Sequence, residues 1–345
     1  MKPANADRII TLNCGLGRDS ITMVLLAATG RLEVAHLDGL PGRQTLSLRD
    51  IDVVVFSDTG CEWPHTYALI PMLRQIVERG GSRFLVLSKG DGEPDKSAPT
   101  SWADIEDRAA SGAYHVRLPI VDDYESRSTV VSLGKGDCTC NHKILPIRRM
   151  INDLSLLRFG RNNRSYSHRV RKGSYSYREF QPDGSSSREV RFTAEKPHVN
   201  LIGIAADELS RLENGGEGPA YLVERYPLVT MGLAKADESA ILAEVGLDHI
   251  RKSGCWMCPY QPLGWWWALR ETEPELWAKA VAYEISSLKR NPNMSITGRK
   301  RSKQPITIDV AVEEWRAKNP EATVEAVLNK EYRRGKGKGH LAVLD

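Results

Sequence analysis

No stretch of this 345-residue chain approaches the ~20 consecutive apolar residues that a membrane-spanning helix requires. The opening Met-Lys-Pro-Ala-Asn-Ala-Asp also lacks the apolar core of an export signal, so the expectation is a cytoplasmic protein with no membrane partner. The net charge is only +4 and the pI near 8.6, too mild for the total to announce a polyanionic partner. There is no internal repeat, and no cysteine follows Cys258. The six cysteines are too many to ignore, yet a reducing cytosol disfavours pairing them as structural disulfides. Those that cluster therefore call for a metal or redox explanation.

What is present is ordinary globular material, 41% hydrophobic and 27% charged, enough for one full core and room for two domains. Arg8 to Cys14 reads as a buried strand, followed by a glycine turn and a helix over Ser20 to Thr29. Asp52 to Ser57 repeats the strand, and a single helix is expected from about Pro64 to Arg79, with the proline in its opening turn. Arg83 to Leu87 and Val199 to Ile204 supply further strands. The alternation predicts an α/β fold with a doubly wound, mainly parallel sheet, whose ligands bind beyond the carboxyl ends of the strands. After Cys258 the chain turns helical, through Trp265 to Glu273, Pro274 to Lys289, Ile308 to Lys318 and Ala322 to Tyr332. A boundary near residue 260 is expected, with residues 1–260 as the α/β domain, including the insertion at 158–193, and 261–345 as a helical region.

Residues 158–193 break the rhythm. Arginines at 161, 164, 169, 171, 178, 188 and 191 meet few acids, and turn signals at Lys172-Gly173 and Pro182-Asp-Gly184 predict a basic antiparallel insertion. Arg164, Arg169 and Arg171 with Tyr166, Tyr175 and Tyr177 combine phosphate-neutralising and base-stacking side chains, a pattern suited to DNA or tRNA. A solvated hairpin is the plainer alternative.

Two motifs carry chemistry. Gly15-Leu-Gly-Arg-Asp-Ser20 lies between strand and helix, where converging backbone N–H groups and the positive helix end hold phosphate. Gly15 and Gly17 permit close approach, Arg18 neutralises phosphate oxygens, Asp19 positions Mg2+, and Ser20 caps the helix. The loop matches neither GxxxxGK[ST] nor GxGxxG, which takes support from motor ATPases and dinucleotide dehydrogenases. Cys138, Cys140, Cys255 and Cys258 provide four thiolates, enough for an iron-sulfur cluster or a Zn2+ tetrahedron, with no metal as the remaining alternative. Lys143 follows the first pair. Cys14 and Cys61 read as small buried side chains, and Trp256, Trp265, Trp266, Trp267 and Trp277 as core packing or cluster shielding. His65, His142 and His168 are isolated in sequence and none is assigned as a ligand.

Residues 15–20 are similar to the SGGKDS loop of the PP-loop ATP pyrophosphatases, the adenine nucleotide alpha hydrolase superfamily. Asp58-Thr-Gly-Cys-Glu-Trp-Pro64 resembles the DTG element of its phosphoadenosine phosphosulfate (PAPS) reductase-like branch. Cys138-Thr-Cys-Asn-His-Lys143-Ile-Leu-Pro146 resembles that branch's C-x4-K-x2-P element, and Gly203-Ile-Ala-Ala-Asp-Glu208 with Arg211, then Cys255-x-x-Cys258-Pro, continue the order to about residue 285. Gly15 and Leu16 stand where the family has Ser-Gly, Arg18 where it has Lys, and Thr139 separates a cysteine pair that sulfonucleotide reductases keep adjacent. The resemblance implies a Rossmann-like PP-loop fold that binds ATP through Gly15 to Ser20, with Asp58, Thr59 and Gly60 lining the nucleotide pocket. It implies that Asp207, Glu208 and Arg211 contact phosphates or metal, and that the cysteines often hold a four-iron cluster. Asp19 and Lys143 would be the catalytic pair.

The function this implies is adenylating, pyrophosphate-releasing sulfur transfer in nucleic-acid modification, similar to tRNA thiolation or DNA phosphorothioation. A cysteine desulfurase would be a possible sulfur donor, and a homodimer is possible. A PAPS or adenylyl sulfate reductase is the alternative, weakened because its C-terminal cysteine nucleophile has no counterpart after Cys258. A zinc-stabilised nucleic-acid-binding protein without catalysis is the third.

Overall fold

The computed structural model describes residues 8–37, 42–92, 97–127, 137–160, 174–180, 186–193, 197–211, 221–293, 295–301 and 304–329. They form two compact units, both discontinuous in sequence. The first comprises residues 1–58, 64–116 and 143–250; the second comprises 59–63, 117–142 and 251–345. The expected single boundary near residue 260 differs from this partition.

In the first unit β1 (Ile10–Asn13) leads into α1 (Arg18–Ala28), and β2 (Leu32–Ala35) pairs antiparallel with β3 (Arg43–Leu46) as a separate ribbon. The apolar run of β4 (Val53–Ser57) is buried at every position, as a strand covered on both faces must be. Next come α2 (Pro64–Tyr67) and α3 (Ile70–Arg79), where a single helix was expected. Pro71 lies in the opening turn of α3; it has no N–H to continue the earlier turn, and its ring would meet the carbonyl of Tyr67, so the helix restarts. β5 (Arg83–Leu87) and α4 (Trp102–Ser111) follow. The helices α5 (Ile120–Ser126) and α6 (Asp137–Thr139) belong to the second unit. A π-helical turn over Cys140–Ile144 precedes α7 (Leu145–Phe159). The predicted insertion contains the antiparallel pair β6 (Ser174–Phe180) and β7 (Ser186–Thr193), with Tyr175 opposite Phe192 and Tyr177 opposite Val190. The unit closes with β8 (His198–Ile202), β9 (Leu222–Arg225), α8 (Pro227–Met231) and α9 (Lys235–Glu244).

The central sheet has the order β5-β4-β1-β8-β9 and is parallel throughout. This is an α/β fold of the kind expected, and β1 sits at its centre, so the turn after Asn13 opens at the carboxyl edge. Ile10, Leu12, Val54, Phe56, Val199 and Leu201 share one core with Ile21, Val24 and Leu25 of α1; Val53, Val55 and Leu85 share another with Ile105 of α4 and Ile151 of α7. Each such side chain contributes about 1.5–3 kcal/mol by leaving water. An ion pair between Arg108 and Asp153, 2.8 Å long and almost wholly buried, ties α4 to α7.

The second unit is built on α10 (Leu263–Thr272), α11 (Pro274–Arg290), α12 (Ile308–Lys318) and α13 (Val324–Asn329), with a two-residue ribbon of β10 (Lys300–Arg301) and β11 (Gln304–Pro305). Its core gathers Trp63, Trp256, Trp265, Trp266 and Trp267, with Trp277 and Trp315 packed against them. The indoles therefore serve as core, and the rings of Trp63 and Trp265 meet edge to face at 5.6 Å. Among the described residues no helix is long and apolar enough to cross a membrane.

Candidate functional site

The loop after β1 is shaped by one residue out of keeping with its conformation. Leu16 adopts φ +59°, the left-handed region that favours glycine, while its side chain is fully buried. That backbone costs on the order of 1–2 kcal/mol, which burial of the isobutyl group offsets. Gly15 on one side is exposed, and Gly17 on the other is the extended N-cap of α1, with no side chain capping the helix. Ser20 does not take the expected capping role: its hydroxyl donates back to the Gly17 carbonyl at 3.0 Å. The first turn of α1 is left for another acceptor to fill.

The two charged loop residues are both held by α9. Arg18 donates to the Ser239 hydroxyl, and Lys235 contacts the Asp19 carboxylate. The same ammonium lies 3.6 Å from Glu238 and 4.0 Å from Glu208. Burial alone would lower the Lys235 pKa, but Asp19, Glu238 and Glu208 outweigh it and the net shift is upward, so the lysine stays charged. Gly203, at the end of β8, backs onto the loop: a Cβ there would lie 3.1 Å from Asp19 and Ser20 backbone atoms, leaving little room for any other residue. Arg18, Asp19, Ser20 and Glu208 are thus brought together. Asp207 is exposed, and Arg211 ends the short helical segment Ala206–Arg211, its side chain lying outside what is described. Lys235 and Ser239 were missed by motif reading.

The DTG element is divided between the units. Asp58 remains in the first, where its carboxylate accepts from the Tyr67 hydroxyl at 2.7 Å. Thr59 and Gly60 belong to the second. Thr59 is fully buried and its hydroxyl donates to Glu62 at 3.0 Å, so this side chain is spent on closing its own turn. Gly60 has φ +71° in that turn.

All four motif cysteines outside the loop fall in the second unit. Glu62 bridges antiparallel to Cys255, the Trp256 N–H donates to the Cys61 carbonyl at 2.9 Å, and the Cys255 thiol accepts from the Met257 N–H at 3.3 Å. This brings Cys61, dismissed in sequence as a small buried side chain, beside Cys255. Burial, reinforced by Cys61, Glu62 and Cys258, raises the Cys255 thiol well above the ordinary cysteine range. Cys138 packs on the tryptophan core, whereas Cys140 is exposed. Among the described residues no three His, Cys, Asp or Glu side chains are grouped so as to hold a metal ion. His142 is fully buried, its Nε2 3.3 Å from Asp123. Lys143 lies half-buried in the π-helical turn. Cys14 behaves as expected of an inert thiol: buried, and pushed up to about 11 by desolvation.

Of the nucleic-acid residues, Tyr175 and Tyr177 lie in β6; Arg164, Tyr166, Arg169 and Arg171 fall outside the described residues, as does His168. Compared with family models, curated proteins and solved structures, the chain matches none.

Proposed function

We propose that this chain is an ATP-dependent, adenylating and pyrophosphate-releasing enzyme of the PAPS reductase-like kind, transferring sulfur in nucleic-acid modification. The observation that carries the reading is the left-handed turn at Leu16, which presents an uncapped helix start at the carboxyl edge of the central parallel strand, with Arg18 and Asp19 beside it. Strained backbone beside an anion-binding helix end is a feature of functional loops.

In the reaction, an acceptor oxygen attacks the α-phosphorus of ATP, the bond to the bridging oxygen of the β-phosphate breaks, and pyrophosphate departs with the electron pair. A sulfur nucleophile then displaces AMP. Backbone N–H groups from Gly17 to Ser20 and the Arg18 guanidinium would stabilise the charge on the departing pyrophosphate. Carboxylate oxygens of Asp19 and Glu208 are the donors Mg2+ prefers, and the ion would shield phosphate charge. The set Cys138, Cys140, Cys255 and Cys258 does not fit an iron-sulfur or Zn2+ site as arranged, because Cys140 is exposed and no three ligands are grouped among the described residues. No step is derived through such a centre. The arginines at 178, 188 and 191 in the β6–β7 sequence support a nucleic-acid acceptor.

The test is pyrophosphate release from ATP with bulk tRNA or plasmid DNA as acceptor. Asp19→Ala should lower release on the order of 10²-fold, the scale of losing one preorganised electrostatic group. Unchanged release removes the loop from the chemistry. A wild-type protein that carries stoichiometric zinc and turns over no ATP would favour the non-catalytic nucleic-acid-binding reading.

A further inference from the structure

Lys235 is the least explained charge near the loop. Three carboxylates, Asp19, Glu208 and Glu238, surround its one ammonium, and among the described residues Arg18 adds a second positive charge at the loop. A bare polyphosphate approaching the start of α1 therefore meets an excess of negative charge, despite the favourable helix end. The lysine is at the first helical position of α9, on a flexible four-carbon stem, and its side chain remains 18% exposed. Glu238 is fully buried and carried by the same helix, so it cannot follow the ligand; Asp19 belongs to the loop itself.

We propose that Lys235 is a phosphate-binding residue held in reserve on Asp19: a polyphosphate arriving with a divalent cation gives Asp19 a new partner, and the ammonium transfers to a phosphate oxygen. This rests on the phosphate-loop reading above and adds to it a residue, a cation requirement and an exchange of partners. Ser239, one turn along α9, holds Arg18, so the helix that supplies Lys235 also registers the guanidinium. No covalent step is involved; the exchange swaps one ion pair for two.

The experiment is calorimetric titration of the full chain with inorganic pyrophosphate, with and without Mg2+. Wild type should bind at least about tenfold more weakly without Mg2+ than with it. Lys235→Gln should weaken magnesium-pyrophosphate binding by about tenfold or more, the value of one charge-assisted hydrogen bond to phosphate. Asp19→Asn, which neither repels the ligand nor retains the ammonium, should bind magnesium-free pyrophosphate about tenfold more tightly than wild type. A Lys235→Gln protein that binds as wild type does overturns the proposal alone. Should that variant fail to fold, an unchanged magnesium requirement in Asp19→Asn overturns it instead. A wild type silent toward magnesium-pyrophosphate overturns the loop reading and this proposal together.

Discussion

The first unit keeps its reactive groups charged and the second keeps them neutral. At the sheet edge Lys235 is held charged beside Asp19, and the Arg18 guanidinium donates to the Ser239 hydroxyl. Around Cys255, burial, Cys61, Glu62 and Cys258 all favour the protonated thiol, within a core of tryptophans. The structural supports show two ways of answering a buried carboxylate. The first unit buries an ion pair, Arg108 with Asp153. In the second, the buried carboxylate Glu284 accepts from backbone, its two oxygens taking the Ile296 and Ile308 N–H groups at 2.8 and 2.7 Å. Buried charge is tolerated where it is answered by opposite charge, or by convergent backbone donors.

The largest effect expected from breaking this comparison is at the ion pair. Asp153→Ala leaves Arg108 charged, buried and short of its acid, and should cost about 3–5 kcal/mol in denaturant unfolding. A loss below about 1 kcal/mol would place the pair among surface bridges.

Glu284→Gln is milder: one of its two acceptor positions becomes an amide NH2 facing an N–H, at about 1–3 kcal/mol. Its pH dependence sharpens the point. Burial raises the Glu284 carboxyl above 4.5 despite the Ile308 and Ile296 N–H groups, so the folded chain binds this proton more tightly than the unfolded one. This group's contribution to stability therefore falls as pH rises from 4.5 through the folded value. Unfolding of wild type and variant, compared near pH 4.5 and near neutrality, should show the variant with a flatter slope.

The smallest perturbation is alkylation of native, metal-stripped protein followed by mass spectrometry. Cys140 should react first; Cys14, buried and pushed up to about 11 by desolvation, should be among the last. Cys61 reacting as fast as Cys140 would dissolve the buried thiol pair.

Sequence pattern revealed those parts that depend on local repetition. Val53 to Ser57 reads as a buried strand because its apolar side chains are contiguous, and the C-terminal helices were visible in their spacing. The break between α2 and α3 was signalled by Pro71, whose effect was overlooked beside the better-placed Pro64. The loop after β1 was visible as glycines, but not the burial of Leu16 in its left-handed turn. Lys235 was illegible: it meets Asp19 across 216 residues, and no spacing rule links an exposed-looking helix lysine to a distant loop. Cys61 escaped for a similar reason, since its neighbour Cys255 reaches it through a bridge to Glu62.

The route of the backbone has a practical consequence. It passes from one unit to the other after residues 58, 63, 116, 142 and 250. Truncation after residue 250 keeps every segment of the first unit but strands two pieces of the second, and a stop codon between residues 64 and 250 removes pieces of both. The second unit, whose three segments are scattered through the chain, is therefore best dissected by point substitution.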